Sequence, residues 1–96
     1  MSDVATPPGG FVGPVKRSVT IAGHQTSISL EPLFWVALEA EAAARELPLN
    51  ALIARIDVAR IAADDPPNLA SAIRSWLFAA RSFPEGGGGP AQPVGG

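Results

Sequence analysis

Few side chains in this 96-residue chain could do chemistry, and their spacing narrows what that chemistry is. There is one histidine, His24, and no cysteine. A nucleophile needs a base beside it and a zinc site needs clustered Cys or His ligands, so one imidazole builds neither. Disulfides are excluded outright. Glu39, Glu41 and Glu46 look paired by number, but carboxylates at helical spacing are usually solvated surface. The GGGG run at 86–89 has no helix after it, so it lacks the helix N-terminus that a phosphate loop requires. No enzyme activity, metal or cofactor is expected. What remains is hydrogen bonding. Gln25, Ser27 and Ser29 recur two apart, with Ser18 and Thr20 before them and Lys16 and Arg17 at one end. Gln pairs bidentately with adenine and Ser serves several base edges, while Lys and Arg hold phosphates. An ordinary solvated strand face has the same residue types, so the pattern alone weighs the two readings about equally.

The element that must position these residues is RSVTIAGHQTSISL, Arg17 to Leu30. Apolar and hydroxyl-bearing residues alternate in it with a period of two, the mark of a half-buried strand. Val19, Ile21, Ile28 and Leu30 fall on one face; Ser18, Thr20, Gln25, Ser27 and Ser29 fall on the other. Gly23-His24 suits a two-residue type II′ turn, which would set Ile21 opposite Thr26, Val19 opposite Ile28 and Ser18 opposite Ser29. Two strands separated by a kink fit as well. A two-stranded ribbon is one of the few elements that enters the major groove of B-DNA.

Downstream the periodicity becomes helical. Pro32 to about Glu46 is rich in Ala, Leu and Glu, with Phe34, Leu38, Ala42 and Arg45 on one stripe. Leu47-Pro48 interrupts it. A second helix from Pro48 or Leu49 to about Ala62 carries Leu49, Leu52, Ile53, Ile56 and Ala59 on one side. Asn68 caps a third, Leu69 to about Arg81, with Ile73, Trp76 and Leu77 at core spacing. Trp35 and Trp76 are expected to pack, each seeking a partner for its indole N–H. The domain therefore spans 15–83, between a flexible arm at 1–14 and a disordered Gly/Pro-rich tail at 84–96.

A net charge of −2 argues neither for nor against a polyanion partner, but no acid lies between Asp3 and Glu31, so the ribbon is locally cationic. No run of about 18 apolar residues or export-type start is found, and a cytoplasmic protein off the membrane is expected. Without disulfides or metals, so small a chain is expected to complete its core with a second copy.

The order strand, helix, helix, with KRSVTIAGHQTSISLEPLFWVALEAEAAARELPLNALI, resembles the ribbon-helix-helix proteins of the Arc and methionine-repressor superfamily. It is most similar to a small bacterial family with a KRSVTIAGH-type lead-in and a third helix, over residues 16 to 81. The resemblance implies a mainly α fold with a short β-ribbon, formed as an intertwined homodimer. One strand from each chain, Thr26 to Leu30, would pair antiparallel and enter the major groove of double-stranded DNA. Gln25, Ser27 and Ser29 would read bases, and Ile28, Leu30, Phe34, Leu38, Leu52, Ile53 and Ile56 would form the dimer core. Phosphates would be held by Lys16 and Arg17 and, at the start of the second helix, by the backbone of Leu49 and Asn50. Pro48 stands where relatives tend to carry a Ser-like cap and Gln25 where an arginine is expected, so modest, salt-sensitive affinity is implied. The resulting expectation is a transcriptional regulator, nucleoid-associated when bound. The alternative is a dimeric protein-interaction module, antitoxin-like in one variant, that kept the fold with little DNA affinity.

Overall fold

The computed structural model describes residues 4–83. The chain runs β1 (Val15–Ile21), β2 (His24–Leu30), α1 (Pro32–Ala44), α2 (Leu49–Ile61) and α3 (Leu69–Ser82). β1 and β2 form an antiparallel hairpin, so of the two arrangements open in the sequence the single-turn one is adopted. The turn falls one residue earlier than expected. Ala22 (φ 51°) and Gly23 (φ 82°) are its central pair, both left-handed as in a type I′ turn, and Ile21 pairs with His24. The ladder then pairs seven residues with seven, from Ile21↔His24 to Val15↔Leu30. A turn at Gly23-His24 would have paired only six on each side before β1 ran past Leu30 toward Pro32, which has no N–H to give. The shift is two residues in pairing, so the faces are those the alternation predicts.

Opposite residues in an antiparallel ladder share a face. Val19, Ile28 and Leu30 are buried, with Ile21 half-buried beside them, and the helices pack beneath this face. The five side chains most completely buried are Leu30, Leu38, Ile53, Ile73 and Leu77, which come from β2, α1, α2 and α3. Each such burial stabilises by about 1.5–3 kcal/mol. The third helix is thus a full wall of the core.

The seven residues expected to form a dimer core all take part in the core of the single chain. Ile28, Leu30, Leu38, Leu52, Ile53 and Ile56 are buried without any second copy, and Phe34 packs against the same cluster half-exposed. On α1 the deepest aromatic is Trp35, not Phe34. Its indole N–H donates to the Val15 carbonyl at 2.9 Å, tying the helix to the outer end of the ribbon. The polar partner that a buried tryptophan requires is thus main chain.

Helix ends follow local chemistry. Pro32 opens α1, and the Glu31 carbonyl accepts from Phe34 and Trp35. Past its last turn Leu47 N–H donates to Ala42 O and Glu46 N–H to Ala43 O, a Schellman closure that puts Glu46 at φ 57°. The Asn68 side chain accepts from Ser71 N–H at 2.8 Å, as a cap of α3 should. Glu31 joins the two ends of the fold: its Oε1 accepts from both Nε and Nη2 of Arg74 on α3, each at 3.1 Å. Its carboxyl is held below the usual carboxylate range, first by a hydrogen bond from its own backbone N–H, against some desolvation, and further by Arg74. The expectation for 84–96 falls outside the described residues.

Candidate nucleic-acid interface

The face of the hairpin turned away from the helices carries Lys16, Ser18 and Thr20 on β1 and Gln25, Ser27 and Ser29 on β2, in the pairs Lys16↔Ser29, Ser18↔Ser27 and Thr20↔Gln25. Five of these are uncharged hydrogen-bonding side chains, one is a cation, and none is apolar or acidic. Among the described residues, none of the six side chains has a hydrogen-bond or ion-pair partner. The hairpin thus presents a row of unused donors and acceptors, the inventory from which base edges are read.

The backbone adds a second feature. The pair flanking a two-residue turn exchanges both of its ladder bonds, and such pairs alternate along the strands. Ile21↔His24, Val19↔Thr26, Arg17↔Ile28 and Val15↔Leu30 are consequently the bonded pairs. The N–H and C=O groups of Gln25, Ser27 and Ser29 then point out of the free edge of β2, where no described backbone group meets them.

The two adjacent cations separate. Lys16 lies on the outward face, whereas Arg17, one residue on, lies on the packed face opposite Ile28. Its guanidinium sits 4.5 Å above the Trp35 ring and its Nη1 is 3.1 Å from Glu39. The strand period that puts Lys16 outside turns Arg17 toward α1, so the structure does not bring the two together for one phosphate. Arg45, Arg60, Arg74 and Arg81 are also ion-paired, to Glu41, Asp57, Glu31 and Glu41. Among the described residues this leaves Lys16 and the exposed Arg55 as cations without an acidic partner.

At the start of α2, Pro48 stands at the cap position with no side-chain bond. The Ala51 and Leu52 N–H groups return to the Pro48 carbonyl, while those of Leu49 and Asn50 have no acceptor among the described residues. They are the two donors expected there, at the positive end of the helix dipole. His24 opens β2, exposed. Among the described residues no group of three or more His, Cys, Asp or Glu could hold a metal, and no helix is long and apolar enough to cross a membrane.

The Trp35 bond to β1 had no sequence signal beyond residue type, whereas the turning of Arg17 inward had one. The alternation that placed Arg17 opposite Lys16 in face was the available clue.

Residues 14–80 match the family model described as a ribbon-helix-helix domain, which covers 67 of the 96 residues. No curated protein and no solved structure matches the chain.

Proposed function

The chain belongs to the ribbon-helix-helix domain family, and from that premise we propose that it is a homodimeric, sequence-specific DNA-binding protein, a transcriptional regulator reading the major groove with the polar face of its ribbon. The observation that carries this reading is the outward face itself, six hydrophilic side chains with no partner in the chain.

The free edge of β2 supports the dimer. Antiparallel pairing of two copies through Gln25, Ser27 and Ser29 would satisfy the unpaired main-chain groups and place these three side chains of each copy on a central two-stranded ribbon. Strands lie 4.7–4.9 Å apart, so the outer β1 strands of such a four-stranded sheet stand about 14 Å apart. The major groove is about 12 Å wide, so the β2 strands fit within it and the β1 strands ride over its walls. Lys16, on β1, is then the residue that meets phosphate. The Leu49 and Asn50 N–H groups hold a second phosphate on each side. Arg17 stays with Trp35 and Glu39. The protein acts by recognition, with no reaction to catalyse, in the compartment that holds the DNA.

One observation favours a second reading, the dimeric interaction module. Five of the seven Lys and Arg side chains are ion-paired within the chain, which leaves few for phosphates. Fluorescence anisotropy on labelled duplexes at low salt separates the two. Saturable binding is expected, and the combined change Gln25→Ala, Ser27→Ala, Ser29→Ala should erase preference among duplexes, at about 1–3 kcal/mol for each base no longer read. An absence of binding at low salt would sink the DNA reading. Sedimentation at micromolar protein tests the dimer, and a folded monomer there would exclude it.

A further inference from the structure

On the side of the fold away from the ribbon's polar face, the start of α1, the second half of α3 and the N-terminal segment around Pro7–Val12 border a groove of about 790 Å³. Its walls are Phe11, Leu33, Phe34, Val36 and Phe78, with Arg81 at one rim. Leu33, Val36 and Phe78 are 48%, 65% and 69% exposed, which is unusual for clustered large apolar groups in a chain that buries its core well. Clustered apolar exposure of this kind marks a docking surface. The groove is also pre-formed. Phe34 is stacked under Arg74, and Arg81 is fixed by the Ala37 carbonyl and by Glu41.

We propose that this groove is the docking site for the chain's own C-terminal segment PAQPV, Pro90 to Val94, held there in an extended polyproline conformation. Three features of the chain favour that occupant. The segment follows α3 directly, and Arg81 on the rim is only three residues before Pro84, where the tail begins. The six residues Pro84 to Gly89 include four consecutive glycines and span up to about 20 Å when extended, enough to turn back along α3. Pro90 and Pro93 are three apart, which is one turn of a polyproline helix, so both rings present on one edge to an aromatic-lined groove. The linkage does the rest, because a connection as short as Pro84 to Gly89 sets an effective concentration in the millimolar range for the segment. Weak intrinsic affinity then suffices to keep the groove covered.

The 96-residue chain has no cysteine, so Gly96→Cys accepts a single nitroxide label. In dilute, isotope-labelled protein the label should selectively broaden the resonances of Leu33, Val36 and Phe78. The effect should vanish in the 96-residue variant Pro90→Gly, Pro93→Gly, Val94→Gly, whose tether is the same length. It should also vanish in Val36→Asp, which changes an already exposed groove wall and leaves the core untouched. Three results would overturn the proposal: no selective broadening; equal broadening in the glycine variant, which would mean proximity without docking; or broadening that appears between spin-labelled and isotope-labelled copies mixed together, which would assign the groove to a second copy.

Discussion

Lys16 and Arg17 are neighbours of equal charge, and the structure places them on opposite faces of the hairpin. In the proposed complex each Lys16 contacts a phosphate, two per dimer, and the logarithm of affinity falls against the logarithm of salt by about 0.9 for each phosphate neutralised. Lys16→Ala should therefore flatten the salt dependence by about 1.8. Between 50 and 200 mM salt that amounts to roughly a tenfold smaller loss of affinity. Arg17→Ala removes the same charge one residue away but should leave the slope unchanged, because its guanidinium is stacked on Trp35 and paired with Glu39 on the other face. Its cost should appear in the fold. With the Arg17 side chain 41% exposed, the ion pair contributes about 0.2–1 kcal/mol and the stacking about 0.5–1 kcal/mol. A loss near 1 kcal/mol in a domain of this size lowers Tm by about 4–8 °C. Anisotropy titrations across salt and thermal unfolding of both variants give the comparison. Since long-range charge is matched, any difference in slope reports direct phosphate binding. If Arg17→Ala flattens the slope as much as Lys16→Ala and leaves Tm in place, the assignment of faces to function is wrong.

Other perturbations test the frame. Glu46 holds a left-handed conformation that costs a side-chain-bearing residue about 1–2 kcal/mol, so Glu46→Gly should stabilise by about 0.5–1 kcal/mol after the entropy of glycine is deducted, with Glu46→Ala as the control that retains the strain; chemical denaturation measures both. At Gly23 (φ 82°) an added Cβ meets open space, so Gly23→Ala should destabilise through conformation alone, by about 1–2 kcal/mol in the same assay. Ile73→Ala should cost about 2–5 kcal/mol in unfolding free energy, since α3 supplies a wall of the core, and a smaller effect would demote that helix to an appendage. Because the folded-state pKa of Glu31 is lowered, its contribution is present above the carboxylate's unfolded value and is lost as pH falls through the folded one; Glu31→Gln should remove that acid limb from urea unfolding measured across pH.

The hairpin, the three helices and their boundaries were legible because each depends on period, proline and caps. The alternation of RSVTIAGHQTSISL fixed its two faces, Pro32 and Asn68 opened α1 and α3, and Leu47-Pro48 separated α1 from α2. The turn was harder. Glycine suits either central position of a two-residue turn, and the choice rested on how many residues the ladder could pair, with Ala22 taking a positive φ to allow it. Of the candidate site, Gln25, Ser27, Ser29 and Lys16 share the outward face, and the Leu49 and Asn50 N–H groups stand open. Arg17, expected beside Lys16 as a phosphate contact, lies on the packed face with Trp35 and Glu39, as strand parity requires. The residues expected to form an intersubunit core are already packed within one chain, where α3 and β1 add to the enclosure around Leu38 and Ile53, a contribution that chain length alone did not signal.

The register of the hairpin has a consequence for how this sequence can drift. A pairing offset of two left every side chain on its own face; an offset of one would send Ile28 and Leu30 to solvent and bury Ser27 and Ser29. Length changes at Ala22-Gly23 are therefore not graded by size. An even change of pairing preserves the outward row, while an odd one exchanges the two faces wholesale. The ribbon behaves like a message with a reading frame, and tolerated insertions at its tip should be those that keep the frame or add a bulge to restore it.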